Sequence, residues 1–87
     1  MSKKEKLLKR LLSIPKDLTY NELKEILIYF NFIEYNSGKT SGSRVRFINS
    51  KNKHIILLHK PHPGNIVKKY IVEYVVDELV KGGYINE

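Results

Sequence analysis

Three histidines lie in a part of this sequence where proton-transfer chemistry is possible, because basic residues surround them and no acid is nearby. His54 and His59 bracket a short apolar segment, and His62 follows in a proline-rich turn. Histidine titrates near neutral pH, so it can accept and return a proton within one turnover. Metal-free cleavage of RNA needs such a base and acid, together with cations that hold the phosphate. We therefore interpret His59 and His62 as candidate catalytic residues.

The histidines also have a purely structural interpretation. On that interpretation His54 is a solvated residue at the end of a strand, and His59 is packed into the protein. A metal site is disfavoured, because no acid lies near the histidines in sequence and the lysines around them oppose a divalent cation. The chain has no cysteine to supply thiolate ligands. The sequence therefore predicts neither a metal nor another cofactor.

The stretch GSRVRF, residues 42–47, places two arginines on one side of a predicted strand, because strand side chains alternate. The planar guanidinium of Arg44 or Arg46 matches the oxygens of a phosphate, and the Ser43 hydroxyl adds a donor. Alternatively, the arginines charge an edge strand and so prevent aggregation. The candidate RNA-binding residues are Lys39, Ser43, Arg44, Arg46, Lys53, Lys60, Lys68 and Lys69.

The distribution of charge supports a polyanionic partner. The 87 residues include 16 basic and 9 acidic side chains, and no Asp or Glu occurs between Glu34 and Glu73. A sustained positive field attracts polyanions, of which nucleic acid is the leading candidate, although a membrane surface or an acidic protein also fits. No apolar stretch approaches the roughly 20 residues that span a membrane. The N-terminus does not resemble a signal peptide, and the absence of cysteine favours a reducing compartment, so we predict a cytoplasmic protein without membrane association.

Apolar periodicity and turn residues predict the elements that position these side chains. Thr19 and Glu22 have the spacing of a helix-capping box. The third strand is apolar on both faces, which suggests that something covers each side. Tyr35 either offers a ring on which a base can stack or packs at the rim of the core. The predicted helices cover 3–13, 20–31 and 65–80, and the predicted strands cover 32–36, 43–49 and 53–59.

These elements predict one α+β domain over residues 1–87, in which 1–18 form an additional N-terminal helix and 19–87 form the core. Three meandering strands make an antiparallel sheet, with the helices packed on one of its faces. From the second helix onward the order is α-β-β-β-α, which is the order of double-stranded-RNA-binding domains. Order alone does not establish function.

The stretch from Leu58 to Ile85 resembles the HicA toxin family of bacterial type II toxin–antitoxin systems. Family members have a histidine–proline–glycine turn, then a helix and a closing glycine–aliphatic end, and here the turn is residues 62–64 and the end is residues 83–85. Upstream they carry a glycine–serine–histidine motif that opens the second strand, and the corresponding residues here are 42–44, with Phe47 as the following aromatic. The resemblance covers about residues 19–86.

The resemblance implies a fold like that of double-stranded-RNA-binding domains and a metal-independent endoribonuclease activity on mRNA, that of an mRNA interferase. It also implies a HicB-like antitoxin that covers the active face. The catalytic histidine of the family lies in the glycine–serine–histidine motif, where this chain has Arg44. Three possibilities follow: His59 or His62 transfers the proton, Arg44 binds phosphate while cleavage proceeds by another route, or the chain binds RNA without cleaving it.

The sequence therefore predicts an RNA-binding toxin of HicA type that cleaves mRNA and is neutralised by a HicB-like protein. Lysines and arginines would hold the RNA backbone, and His59 or His62 would transfer protons. Two alternatives stay open: a non-catalytic RNA-binding module of the same fold, and a domain whose basic surface docks an acidic protein.

Overall fold

The computed structural model describes residues 2–36, 44–61 and 64–85. The chain forms three helices and three strands in the order α1 (Lys3–Leu12), α2 (Tyr20–Tyr29), β1 (Phe32–Asn36), β2 (Arg44–Asn49), β3 (Ile55–His59) and α3 (Lys69–Lys81). The strands form one antiparallel sheet in the order β1-β2-β3. The predicted α+β class and the three-stranded antiparallel sheet are confirmed.

The helices lie on one face of the sheet. Helix α2 packs against β1 and α3 against β3, while α1 packs on the other two helices. The side of the sheet that faces them carries fully buried side chains from each strand, including Phe32, Phe47 and Ile56. All six elements contribute to one hydrophobic core. The opposite face of the sheet is therefore left without a covering element in the part of the chain that the structure describes.

Local sequence signals account for the helix ends. Thr19 caps α2: its hydroxyl accepts from the Glu22 amide at 3.1 Å, and the Glu22 carboxylate accepts from the Thr19 amide at 2.9 Å. This arrangement satisfies two amides that would otherwise lack partners in the first turn. Helix α3 ends at Lys81, with Gly82 as its C-cap residue. Gly83 follows with φ of +77°, a backbone conformation that glycine adopts without steric cost.

The predicted start of α3 at residue 65 is wrong. The helix begins at Lys69, because the preceding residues pair instead with the segment before α2. The Tyr20 amide donates to the Asn65 carbonyl at 2.8 Å, and the Val67 amide donates to the Leu18 carbonyl at 2.7 Å. Ile66 and Tyr70, which the helical pattern assigns to the buried stripe, are exposed. We call this pairing of the two segments the backbone clip.

The prediction that both faces of the third strand are covered is also wrong. Ile56 and Leu58 are buried against the helices, but Ile55 and Leu57 are 47% and 60% exposed. The strand is also shorter than predicted, because residues 53 and 54 belong to the preceding turn, where Lys53 has φ of +65°. The exposed apolar side chains of β3 therefore belong to an uncovered surface.

Candidate nucleic-acid interface

The uncovered side of the sheet, which we call the open face, combines basic, aromatic and aliphatic side chains. The strand register and the alternation of side chains define its members. None of them is acidic, because Glu34, the acid of β1, points to the opposite face. The members are Ile33 and Tyr35 from β1, Arg44, Arg46 and Ile48 from β2, and Ile55, Leu57 and His59 from β3.

Arg44 and His59 lie directly opposite each other across the β2–β3 ladder. Both side chains are exposed on the open face. Directly opposed residues in an antiparallel pair have Cβ atoms about 5 Å apart. A guanidinium and an imidazole can therefore reach the same bound group, one as an ionic partner and the other as a hydrogen-bond or proton-transfer partner.

His59 also lines a groove of about 230 Å³ between the end of β3 and the start of α3. We call it the His59 groove. Two lysines and a tyrosine line it beside the histidine, so the groove is suited to a ligand that combines an anionic group with a planar ring. Its lining consists of His59, Lys60, Pro61, Val67, Lys68, Tyr70 and Ile71.

The cations of this region have few acidic neighbours. Within residues 2–36, 44–61 and 64–85, neither Arg44 nor Arg46 forms a salt bridge, and the same is true of Lys60 and Lys68. Lys60 is held instead over the Tyr20 ring, with its Nζ 5.5 Å from the ring centroid. The charge of Lys60 also acts on Glu34, because it helps to lower the pKa of that carboxyl group.

Glu34, the acid of β1, is already engaged by residues of α2. The Glu34 carboxylate accepts a hydrogen bond from the Tyr20 hydroxyl and forms a 2.9 Å salt bridge with Lys24. Burial opposes ionisation of Glu34, but Tyr20, Lys24 and the more distant charge of Lys60 together lower its pKa. Burial, together with the neighbouring carboxylate, raises the pKa of Tyr20. Glu34 therefore stays ionised and bound to α2, away from the open face.

The imidazole of His59 has no hydrogen-bond partner among the described residues. A general base is commonly oriented by a third group that fixes its ring and tautomer. Any such orientation of His59 would therefore have to come from a bound ligand or from residues outside the described ranges. The structural interpretation of His59 as a packed residue is wrong, because its side chain is exposed.

His54, by contrast, belongs to a structural cluster at the other end of β3. Its Nε2 lies 2.9 Å from a Glu78 carboxylate oxygen of α3, and its ring stacks on Tyr84 with centroids 5.8 Å apart. Phe32 contacts the ring edge-on. The interpretation of His54 as a solvated strand-end residue is therefore wrong. These contacts to α3 and to the residues that follow it hold the β2–β3 turn against the C-terminal end of α3.

The remaining candidates fall into two groups. Lys53 lies in the turn at the far end of β3, roughly 20 Å along the strand from His59. Lys69 is the first residue of α3 and is exposed, next to the groove residue Lys68. The structure thus places Arg44 and Arg46 with His59 on the open face, places Lys60 and Lys68 with His59 at the groove, and places Lys53 away from both. Lys39, Ser43 and His62 lie outside the described residues.

Tyr20 and Tyr70 are site residues that the sequence reasoning missed. The helical pattern places Tyr70 in the core, yet it is 63% exposed at the groove, and Tyr20 reaches from the first residue of α2 to Lys60 and Glu34. The local sequence gave no signal for Tyr20, because its contacts come from β1 and from the residue after β3. In the first turn of α3, Ile71 is buried and Tyr70 is exposed.

Two further properties bear on the class of site. Within the described ranges, no group of three or more His, Asp and Glu side chains is gathered closely enough to hold a metal ion. Among those same residues, no helix is long and apolar enough to cross a membrane.

The fold and the site define a small α+β protein with a basic, partly apolar open face. No family model, no curated protein and no solved structure matches the chain. The function proposed below therefore depends on the geometry of the site and on the motif resemblance.

Proposed function

We propose that this protein binds RNA on the open face and the His59 groove, and that it is a HicA-type toxin that cleaves mRNA without a metal. The observation that carries the proposal is the position of His59, which is exposed opposite Arg44 and shares a groove with Lys60 and Lys68. The order of α2, the three strands and α3 supports a fold like that of double-stranded-RNA-binding domains.

The proposed reaction is attack of a ribose 2′-oxygen on the adjacent phosphorus. A base removes the 2′-hydroxyl proton, the new O–P bond forms, and the bond from phosphorus to the 5′-oxygen breaks as an acid protonates that oxygen. His59 supplies one of these two groups. His62 is the candidate for the other and lies outside the described residues. Arg44, Lys60 and Lys68 stabilise the charge that develops on the non-bridging phosphate oxygens.

The substitution of arginine for the family's motif histidine is compatible with this arrangement. Arg44 remains protonated near neutral pH and is a poor general base. Because Arg44 is directly opposite His59, the Cβ atom of a histidine nonetheless lies about 5 Å from that of the motif residue, one strand away. We therefore propose that His59 on β3 is the acid–base group and that Arg44, at the motif position, binds phosphate.

The apolar part of the open face supports the proposed HicB-like antitoxin. Contiguous exposed apolar side chains on a small protein commonly mark a surface that a partner covers. Ile33, Ile55 and Leu57 are about half exposed, beside cations and without an acid. An acidic partner with apolar side chains at its centre would cover the RNA site and block it.

A second candidate, a non-catalytic RNA-binding module, is favoured by one observation. No group among the described residues orients the His59 imidazole, whereas phosphate binding by arginine and lysine needs no such orientation. On this alternative the same surface binds RNA and leaves it intact.

Incubation of the purified protein with end-labelled RNA in the presence of EDTA tests the proposal and separates the alternatives. We expect cleavage by the wild type, loss of cleavage on His59→Ala with RNA binding retained, and no effect of His54→Gln. A His62→Ala variant tests the second proton-transfer position. Equal cleavage by all these variants would remove the histidine mechanism. Binding without cleavage by the wild type would establish the module, and failure to bind RNA at low salt would leave the protein-docking alternative.

A further inference from the structure

We infer that the open face binds single-stranded RNA and that Tyr35 is the platform on which one base stacks, beside a phosphate held by Arg46. This inference depends on the proposed RNA binding and specifies the substrate class of the same site. It also assigns a base-binding role to a residue that the proposed cleavage chemistry does not use.

The position of Tyr35 is the first observation. The tyrosine lies on β1 directly opposite Arg46 of β2, and its side chain is 47% exposed on the open face. Within the described ranges its hydroxyl makes no hydrogen bond. Most aromatic side chains of the protein pack in or against the core, as Phe32, Phe47 and Tyr20 do. Tyr35 therefore presents ring surface that no residue of the described chain uses.

The neighbours of Tyr35 suit a nucleotide rather than a bare anion. An aromatic ring next to an arginine provides a stacking surface for a base and an ionic partner for its phosphate, the combination found in proteins that bind single strands. Aliphatic side chains add apolar surface nearby, since Ile33 precedes Tyr35 on the same face of β1 and Leu57 lies opposite Arg46 on β3.

The distance from Tyr35 to His59 sets the relation of this base to the proposed cleavage position. The two residues are two strands apart and displaced by two residues along the strands. With strands about 4.8 Å apart and a rise of about 3.3 Å per residue, the separation is roughly 12 Å. An RNA strand that crosses the β-sheet from β1 to β3 thus places the base stacked on Tyr35 a few nucleotides from the phosphate at His59.

A duplex cannot use this surface in the same way, because its bases are stacked on one another and are not available to a protein ring. Duplex RNA is instead contacted along its backbone and minor groove. An acidic protein fits the charges of the open face, but it would not require an unpartnered ring beside Arg46. The arrangement therefore favours unpaired nucleotides.

The chain contains no tryptophan, so a single introduced tryptophan reports stacking directly. We expect that the Tyr35→Trp variant binds an adenine-rich single-stranded RNA of about 10 nucleotides and that its emission is quenched on binding. The matched control is Ile28→Trp, because Ile28 is 51% exposed on α2, on the helix side of the molecule. Its emission should stay unchanged at the same RNA concentration.

Affinity measurements complete the test. Loss of one base–aromatic stack weakens binding about 5- to 150-fold, so Tyr35→Ala should lose affinity within that range, and Tyr35→Phe should retain it. Because stacking releases no counterions, Tyr35→Ala should keep the wild-type salt dependence, whereas Arg46→Gln should reduce it. A duplex of the same length should bind more weakly than the single strand.

The outcomes separate this inference from the proposed function. If the wild type binds single-stranded RNA but Tyr35→Ala binds it equally tightly, or the Tyr35→Trp emission is not quenched, only the stacking inference is overturned. Tighter binding of the duplex also overturns the inference and leaves RNA binding in place. If the wild type binds no RNA and instead captures an acidic protein, both the inference and the proposed function are overturned.

Discussion

The most direct consequence of the proposed site is that its salt dependence can be assigned to particular residues. Each phosphate that a protein neutralises on a single strand contributes about −0.7 to the slope of log K against log salt concentration. If Arg44, Arg46, Lys60 and Lys68 each neutralise one phosphate, the slope is about −2.8. Raising the salt from about 50 to 200 mM then weakens binding about 50-fold.

Removal of both arginines by Arg44→Gln and Arg46→Gln tests this magnitude. The double variant keeps polar, hydrogen-bonding side chains but removes their charge, and both positions are exposed, so the fold should be unaffected. We expect the slope to fall to about −1.4, with only about a 7-fold loss of affinity over the same salt range. Fluorescence anisotropy of a labelled RNA across a potassium chloride series measures the slope.

Lys53→Gly is the matched control, because it also removes a positive charge but lies in the turn at the far end of β3. Glycine accommodates the φ of +65° at this position, so the turn is preserved. The slope should stay at the wild-type value. If Lys53→Gly lowers the slope as much as a single arginine substitution, binding follows net charge rather than the open face. A double arginine variant with an unchanged slope would exclude the open face as the phosphate site.

Three further predictions concern stability. The Thr19 amide and Arg10 lower the pKa of Glu22 below its ordinary 4.5, and hydrogen bonds from Tyr20 and Lys24 lower the pKa of Glu34 in the same direction. Both carboxylates therefore stabilise the fold above pH 4.5 and lose this contribution as the pH falls. Urea midpoints measured from about pH 7 to 3 should therefore drop below pH 4.5, and Glu22→Gln should flatten the profile. Asn49→Ala should cost about 2–3 kcal/mol of unfolding free energy, because buried Asn49 donates to the Phe30 carbonyl at 2.8 Å and accepts from the Lys51 amide at 2.8 Å. The control is Asn52→Ala, which should cost less because Asn52 is exposed. Phe47→Ala should cost about 3–5 kcal/mol of unfolding free energy in the same denaturation assay, since the ring is fully buried. A cost below about 1 kcal/mol for Asn49→Ala or Phe47→Ala would contradict the described core.

The elements that local chemistry determines could be predicted from the sequence. The capping pair of Thr19 and Glu22 correctly placed the start of α2, and Gly82-Gly83 correctly placed the end of α3. The bounds of β1 followed from its alternation and flanking turns. In each of these cases the residues that determine the structure are adjacent in sequence.

The start of α3 could not be predicted in this way. A helical pattern runs through Ile66, but that residue belongs to the segment that pairs with the chain before α2. This pairing joins parts of the chain that are distant in sequence, and it overrides the local preference for helix. In the helix that starts at Lys69, the buried residue of the first turn is Ile71, and Tyr70 lines the groove.

The candidate site was only partly predictable for a similar reason. The alternation of GSRVRF correctly placed both arginines on an exposed face. The opposition of Arg44 to His59 depends on the register between two strands, which no local pattern specifies. Only the structural interpretation of His54 and His59 is the reverse of what is found, since the apolar run between them is consistent with burial of either face and the position of the helices selects one.

The backbone clip determines how far the chain can be shortened without loss of the proposed site. Val67 forms part of the wall of the His59 groove, and its amide is bonded to the Leu18 carbonyl, which lies just outside the region that resembles HicA. Leu18 is itself buried, as is Leu11 of α1. A fragment trimmed to the HicA-like region would therefore lose a structural support of the groove, so the smallest unit that can be transplanted or expressed with an intact site includes α1 and the connection that follows it.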